Sequence, residues 1–243
     1  MKIGAQVDYG KVRELSRGQD PLAYSMRRAF VDAFFTGNSE LIASARHILD
    51  LGGEKGVAKR GLFEIEELNA RVVALNISRK KTIDVEGDGA RLPVQAASFD
   101  LVICAETLEH VPDPISVLDE IYRALDKGGS LLATVPFNFR IHGDPQDYGR
   151  YTDHYFAEAL AKIGFSEFEV VKQGFFWSVL ADMAREYARH QALKGKPKRR
   201  FMRNKMSSLV GRAKQKALRL EESGKASENL LAYTTGFQIT AIK

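Results

Sequence analysis

Residues 98–114 read Ser98-Phe99-Asp100-Leu101-Val102-Ile103-Cys104-Ala105-Glu106-Thr107-Leu108-Glu109-His110-Val111-Pro112-Asp113-Pro114. The continuous apolar run Leu101-Val102-Ile103 is that of a strand buried on both faces, the mark of a mainly parallel sheet sandwiched by helices. Short apolar runs recur on either side of it. Strands are expected at His47–Leu51, Val72–Asn76, Ile83–Glu86, Asp100–Ala105, Ser130–Pro136, Phe168–Lys172 and Ala232–Ile242. Helical spacing marks Ile115–Leu125, Thr152–Ile163 and Trp177–Leu193 between them. Upstream, Leu22–Phe35 reads as a helix closed by Gly37-Asn38, and Leu41–Ala45 as a second short one. With right-handed crossovers this is a doubly wound, Rossmann-like α/β sheet of seven strands, whose ligands bind at the carboxyl ends of the strands.

Composition narrows the class. The chain has 243 residues, 44% hydrophobic and 28% charged, with 20 Gly, 7 Pro and 1 Cys. Disordered, collagen-like and disulfide-stapled classes are excluded. Cys104 stands alone, so neither an intramolecular disulfide nor a thiolate zinc cluster can form. The start, MKIGAQVDYGKVREL, carries no apolar leader, and no run approaches the ~18 apolar residues of a membrane span, so a cytoplasmic protein is expected.

Charge is unevenly placed. The net +5 comes from 36 Lys and Arg against 31 Asp and Glu, yet 11 of the cations and none of the acids lie between Lys194 and Arg219. An acidic body therefore bears one basic segment, punctuated at roughly helical spacing by Phe201, Met202, Met206, Leu209, Val210 and Leu218. Three readings are open: contact with an anionic membrane surface or a diphosphate-bearing lipid, contact with RNA phosphates, or a solvated helix packed on the body. A single aromatic offers no stacking platform, so nucleic acid is not the expected partner. Lys194-Gly195-Lys196-Pro197 is expected to be a hinge.

The loops after the strands carry the chemistry. The first strand ends in Asp50-Leu51-Gly52-Gly53-Glu54-Lys55-Gly56, where glycines let the backbone approach a ligand. The third is followed by Gly87-Asp88-Gly89-Ala90-Arg91-Leu92-Pro93, and the fourth by Glu106-Thr107-Leu108-Glu109-His110-Val111. Glu120, Arg123, Leu125 and Lys127-Gly128-Gly129 precede the fifth. This ordered series resembles the class I S-adenosylmethionine-dependent methyltransferases, in a type-11-like branch found with glycan and polysaccharide biosynthesis. The resemblance covers roughly residues 47–172, with Gly236–Lys243 as the closing strand. It implies a single methyltransferase domain: an N-terminal helical cap (1–46), a cofactor-binding core (47–172), a helical, basic insertion (173–230) and a closing strand (231–243).

Carried over residue by residue, the resemblance implies that Asp50, Gly52, Gly53 and Gly56 form the turn beside the methionine part of S-adenosylmethionine. Asp88, Gly89 and Ala90 would flank the adenine, and Cys104, Ala105 and Glu106 would lie near the sulfonium. Two positions depart from the pattern. Glu54 replaces the usual second glycine, and Asn76 stands where an acidic residue grips both ribose hydroxyls; a non-catalytic module that kept the fold is the corresponding alternative.

The stretch 136–152, Pro136-Phe137-Asn138-Phe139-Arg140-Ile141-His142-Gly143-Asp144-Pro145-Gln146-Asp147-Tyr148-Gly149-Arg150-Tyr151-Thr152, looks like the acceptor loop of that branch. Methylation of a sugar hydroxyl needs a base, and an imidazole with its ordinary pKa of about 6.5 is suited to the task. His142 is the expected base, oriented by Asp147, with Tyr148, Arg150 and His110 as acceptor-binding residues. The structural alternative is that Asp144, Asp147 and Arg150 only tie the loop together. A rival set, Glu106, Glu109 and His110 at i, i+3 and i+4, shares one face if a helix begins there. It resembles metal-assisted O-methyltransferases of quinone biosynthesis, which implies a phenolic or quinone-like acceptor; the first expectation carries no metal.

Overall fold

The structure, a computed structural model, describes residues 7–55, 69–78, 82–143, 145–193, 199–225 and 227–243. Seven strands form one sheet: β1 (His47–Leu51), β2 (Arg71–Asn76), β3 (Val85–Glu86), β4 (Phe99–Ala105), β5 (Leu125–Pro136), β6 (Glu167–Gln173) and β7 (Gly236–Ile242). Their order is β3-β2-β1-β4-β5-β7-β6, with β7 antiparallel to both of its neighbours and the other pairs parallel. The expected Rossmann-like architecture is therefore present.

Side-chain alternation explains why the central strands are apolar throughout. On β4, Val102 and Cys104 point to one core with Leu49, Leu131 and Ala133, beneath Val117, Leu118 and Ile121 of α4 (Pro114–Ala124) and Phe156 and Leu160 of α5 (Asp153–Ile163). Leu101 and Ile103 point to the other with Ile48 and Leu132, covered by Phe34 and Phe35 of α2 (Met26–Gly37) and Ile42 of α3 (Ser39–Ser44). Both α4 and α5 have a start signal. Asp113 accepts the Ile115 and Ser116 amides ahead of Pro114, and Thr152 accepts the Tyr155 amide.

The remaining helices are α1 (Tyr9–Ser16), α6 (Phe176–Leu193), α7 (Arg199–Glu222) and α8 (Glu228–Leu231). Several boundaries differ from the sequence reading; β5 begins at Leu125 rather than Ser130, and α2 at Met26 rather than Leu22. The polar start contains α1, begun by Asp8 accepting the Lys11 amide. β3 is only two residues long. β7 starts at Gly236 because the Thr234 and Thr235 hydroxyls donate to the Gln173 carbonyl and turn the chain there. The basic segment supplies most of α7, and the hinge expected at 194–197 lies outside the described residues. Val210 packs with Leu22 and Ala188, and Ala217 and Leu218 pack with Val12, Met26 and Phe30. Lys205, Arg212, Lys216 and Arg219 remain exposed on the opposite side. Among the described residues no helix is long and apolar enough to cross a membrane.

Candidate functional site

The turn after β1 is held from two sides. Gly52 adopts φ +78°, and a Cβ there would collide with the Thr107 side chain. At Gly53 the place of a Cβ is filled by the Asp50 carboxylate. Asn76, at the tip of β2, donates its amide to the carbonyls of Gly52 (2.9 Å) and Gly53 (3.2 Å) and accepts the Ser78 amide at 3.1 Å. The side chain expected to face the ribose thus ties the turn instead. Asp88 is likewise engaged, its Oδ1 accepting the Ala90 amide at 2.9 Å to start a single helical turn over Gly89–Arg91. Glu54 is half-buried in this turn, and Gly56 lies outside the described residues.

At the tip of β4 the chain turns sharply. Glu106 has φ +49°, in the left-handed region that a side chain seldom occupies, and its amide donates to the Thr134 carbonyl at 2.8 Å. This takes Glu106 out of the following turn, Leu108–His110, so the single face expected for Glu106, Glu109 and His110 does not form. Its carboxylate instead meets Arg27 of α2: Nε donates to Oε2 at 3.0 Å and Nη2 donates to Oε1. Arg27 is only 2% exposed. Its Nη1 donates to Gln173 Oε1, and Gly236 has no side chain where the guanidinium passes. Cys104 is wholly buried in the core, whereas Ala105 and Glu106 are half-exposed.

The loop between β5 and α5 brings the remaining candidates to the same end of the sheet. Asp147 accepts the His142 amide at 2.8 Å and lies 3.3 Å from His142 Nδ1. Arg150 donates to both Asp147 oxygens, at 2.5 and 2.7 Å, and to the carbonyls of Gly149 and Arg140. The guanidinium, more than any other partner, holds the Asp147 carboxyl well below the usual carboxylate range. Arg150 is thus part of the loop's internal frame, while Tyr148 and Ile141 are exposed. The His142 ring packs edge-on against His110 and Phe139, with centroids 4.9 and 5.2 Å away. His110 Nδ1 sits 2.6 Å from the Gln146 carbonyl, and its Nε2 3.6 Å from Glu109 Oε1. Glu109 is 1% exposed, and among the described residues neither carboxylate oxygen has a hydrogen-bond partner. Burial first, and the neighbouring Glu106 charge second, push its carboxyl well above the usual range.

Residues 49–133 match the family described as Methyltransferase domain (Methyltransf_11). The chain is 29% identical over 132 residues to the ubiquinone biosynthesis O-methyltransferase of Psychrobacter cryohalolentis, covering 47% of this chain and 50% of that protein. It is also 29% identical over 129 residues to the ubiquinone/menaquinone biosynthesis C-methyltransferase UbiE of Rhizobium etli, covering 46% and 50%. The matches therefore span about half the length of these curated relatives. A solved SAM-dependent methyltransferase from Archaeoglobus fulgidus superposes with a TM-score of 0.53 at 15% identity, over 89% of this chain and 94% of that one. That likeness is one of fold.

S-adenosylmethionine, the cofactor expected from the sequence, is the one the methyltransferase-domain match supports. The donor set fits a ligand of that kind. Asp50, Asp88 and Glu106 place carboxylates around a glycine turn, and Ile77, directly beyond β2, offers an apolar side chain that is 59% exposed. Sequence reasoning passed over Ile77, Thr107 and Arg27. For Arg27 no local signal exists, because its partners Glu106 and Gln173 are 79 and 146 residues away.

Proposed function

We propose that this protein is an S-adenosylmethionine-dependent methyltransferase acting on a hydroxyl of a small acceptor. The observation that carries the reading is a shared location. The Gly52–Gly53 turn, Asp88 and the β4 tip stand at the same carboxyl end of the sheet as the cluster of Glu109, His110, His142 and Asp147. Ligands of doubly wound sheets bind there. Asp50, Asp88 and the Ala105–Glu106 segment would hold the cofactor, which when bound supplies an electrophilic methyl group on a sulfonium.

The chain's own part is to bring a nucleophile into line and to manage its proton. A carbonyl oxygen can only accept, so the contacts of His110 Nδ1 with Gln146 and of His142 Nδ1 with Arg140 put the hydrogen on Nδ1 in each ring. Nε2 is then the ring nitrogen available to face an acceptor. The Glu109–His110–His142 cluster therefore offers basic atoms to an acceptor hydroxyl, with Tyr148 exposed beside it. The two relatives bear the names of quinone-biosynthesis enzymes, which favours a phenolic or quinone-like acceptor. The glycan acceptor expected from the loop 136–152 is the competing choice, and neither relative's name refers to a sugar.

Calorimetry with S-adenosylhomocysteine, followed by transfer of a labelled methyl group to a panel of catechols and nucleotide-sugars, tests both levels. Binding with transfer to a catechol is expected. Transfer to a sugar alone would replace the acceptor, and absence of binding at millimolar ligand would leave a non-catalytic module.

A further inference from the structure

We propose that Glu109, His110 and His142 form a binding site for a first-row divalent cation. One ligand atom from each of the three side chains lies within 4.8 Å of the others. Glu109 supplies an independent pointer: it is a buried carboxyl group whose two oxygens have no hydrogen-bond partner among the described residues, so their capacity to accept is unmet. The imidazoles are prepared in the manner of metal ligands, whose second nitrogen donates to a carbonyl or carboxylate. His110 Nδ1 donates to Gln146 O, and His142 Nδ1 faces both Arg140 O and Asp147 Oδ2 at 3.3 Å.

This set differs from the one suggested by the sequence alone. Glu106 is committed to Arg27, and its place is taken by His142, which comes from the loop after β5. Two imidazoles and one carboxylate suit Zn²⁺, Co²⁺ or Mn²⁺ better than Mg²⁺ or Ca²⁺. Bonds of about 2.1 Å in tetrahedral array put ligand atoms about 3.4 Å apart, so the side chains close by up to about 1.4 Å. His142, on a loop and half-exposed, can make that adjustment. Three protein ligands leave coordination open for an acceptor oxygen, whose hydroxyl pKa a cation lowers. That last role rests on the methyltransferase reading; the binding site itself does not.

The test is titration of the full chain with Co²⁺, followed by visible absorption, and with Zn²⁺, followed by calorimetry. One equivalent is expected to bind. Glu109→Gln and His142→Asn, checked as folded by circular dichroism, should each weaken binding at least about tenfold, while Glu106→Gln retains it. Failure of the wild-type chain to bind either ion at millimolar concentration overturns the site. Unchanged affinity in His142→Asn, or loss of binding in Glu106→Gln, overturns the ligand set. S-adenosylhomocysteine calorimetry on the same samples separates the two readings: nucleoside binding without cation binding removes only the metal site, and the reverse removes only the methyltransferase.

Discussion

Arg27 on α2 and Glu106 at the tip of β4, 79 residues apart in sequence, form a two-pronged ion pair that fastens the N-terminal helices to the carboxyl end of the sheet. The guanidinium is buried and the carboxylate half-exposed. Asp182 of α6 secures the same place from below by accepting the amides of Met26 (2.7 Å) and Arg27 (3.0 Å). The cap thus orients a side chain of the site as well as covering apolar surface.

Removing the guanidinium leaves Glu106 and Gln173 without their donor. Arg27→Met should lower stability by about 2–4 kcal/mol, because breaking a buried pair strands the remaining partner. Arg27→Lys, which keeps the charge and loses the fork, should fall between the two. Urea unfolding curves measure this, and a Met variant within about 0.5 kcal/mol of wild type would mean that the pair anchors nothing.

Asn76 yields a prediction opposite to the one that family resemblance suggests. An aspartate there would grip ribose hydroxyls in the expected pattern, yet in this turn it would set a carboxylate against the Gly52 and Gly53 carbonyls that now receive the Asn76 amide. Asn76→Asp should therefore cost about 1–3 kcal/mol in stability and weaken S-adenosylhomocysteine binding. Calorimetry showing tighter binding would place Asn76 on the ligand rather than on the turn.

The sheet was legible because continuous apolar runs such as Leu101-Val102-Ile103 admit little besides a strand covered on both faces. The glycine turn and the β4 loop were legible as motifs. Long-range polar pairing was not. Nothing in Met26-Arg27-Arg28-Ala29 distinguishes the buried Arg27 from the half-exposed Arg28. A helical reading of Glu106-Thr107-Leu108-Glu109-His110 failed because one residue at positive φ precedes the turn. With the Glu106 carboxylate turned to Arg27, it is His142 that joins Glu109 and His110 in one cluster.

Gly52 is held by two constraints that can be separated. Its φ of +78° penalises any side chain, and Thr107 occupies the space a Cβ would need. Gly52→Ala should cost about 2–4 kcal/mol, of which about 1–2 is backbone strain. Adding Thr107→Ala should recover the steric part and leave the strain. Full recovery in the double variant would show that the dihedral costs nothing; equal loss in both would show that Thr107 already yields.

Lys214 makes stability depend on pH. Its Nζ donates to the carbonyls of Pro21 (2.9 Å) and Tyr24, and burial brings its pKa down from 10.5 to about 8, with Arg185 adding to the effect and Asp182 and Asp20 opposing it. In the unfolded chain the ammonium persists to its ordinary pKa. Between the two values the unfolded state binds more protons, so stability should rise with pH across that window. Below about pH 8 both states are protonated and the contribution is flat. Tyr9 and Tyr24, both raised chiefly by burial, oppose the rise once unfolded tyrosines ionise near pH 10. From about pH 8 to about pH 9.5, wild type should therefore gain about 2 kcal/mol relative to Lys214→Met. Urea titrations of both proteins across that range measure the difference, and parallel pH profiles would show that Lys214 stays charged in the folded state.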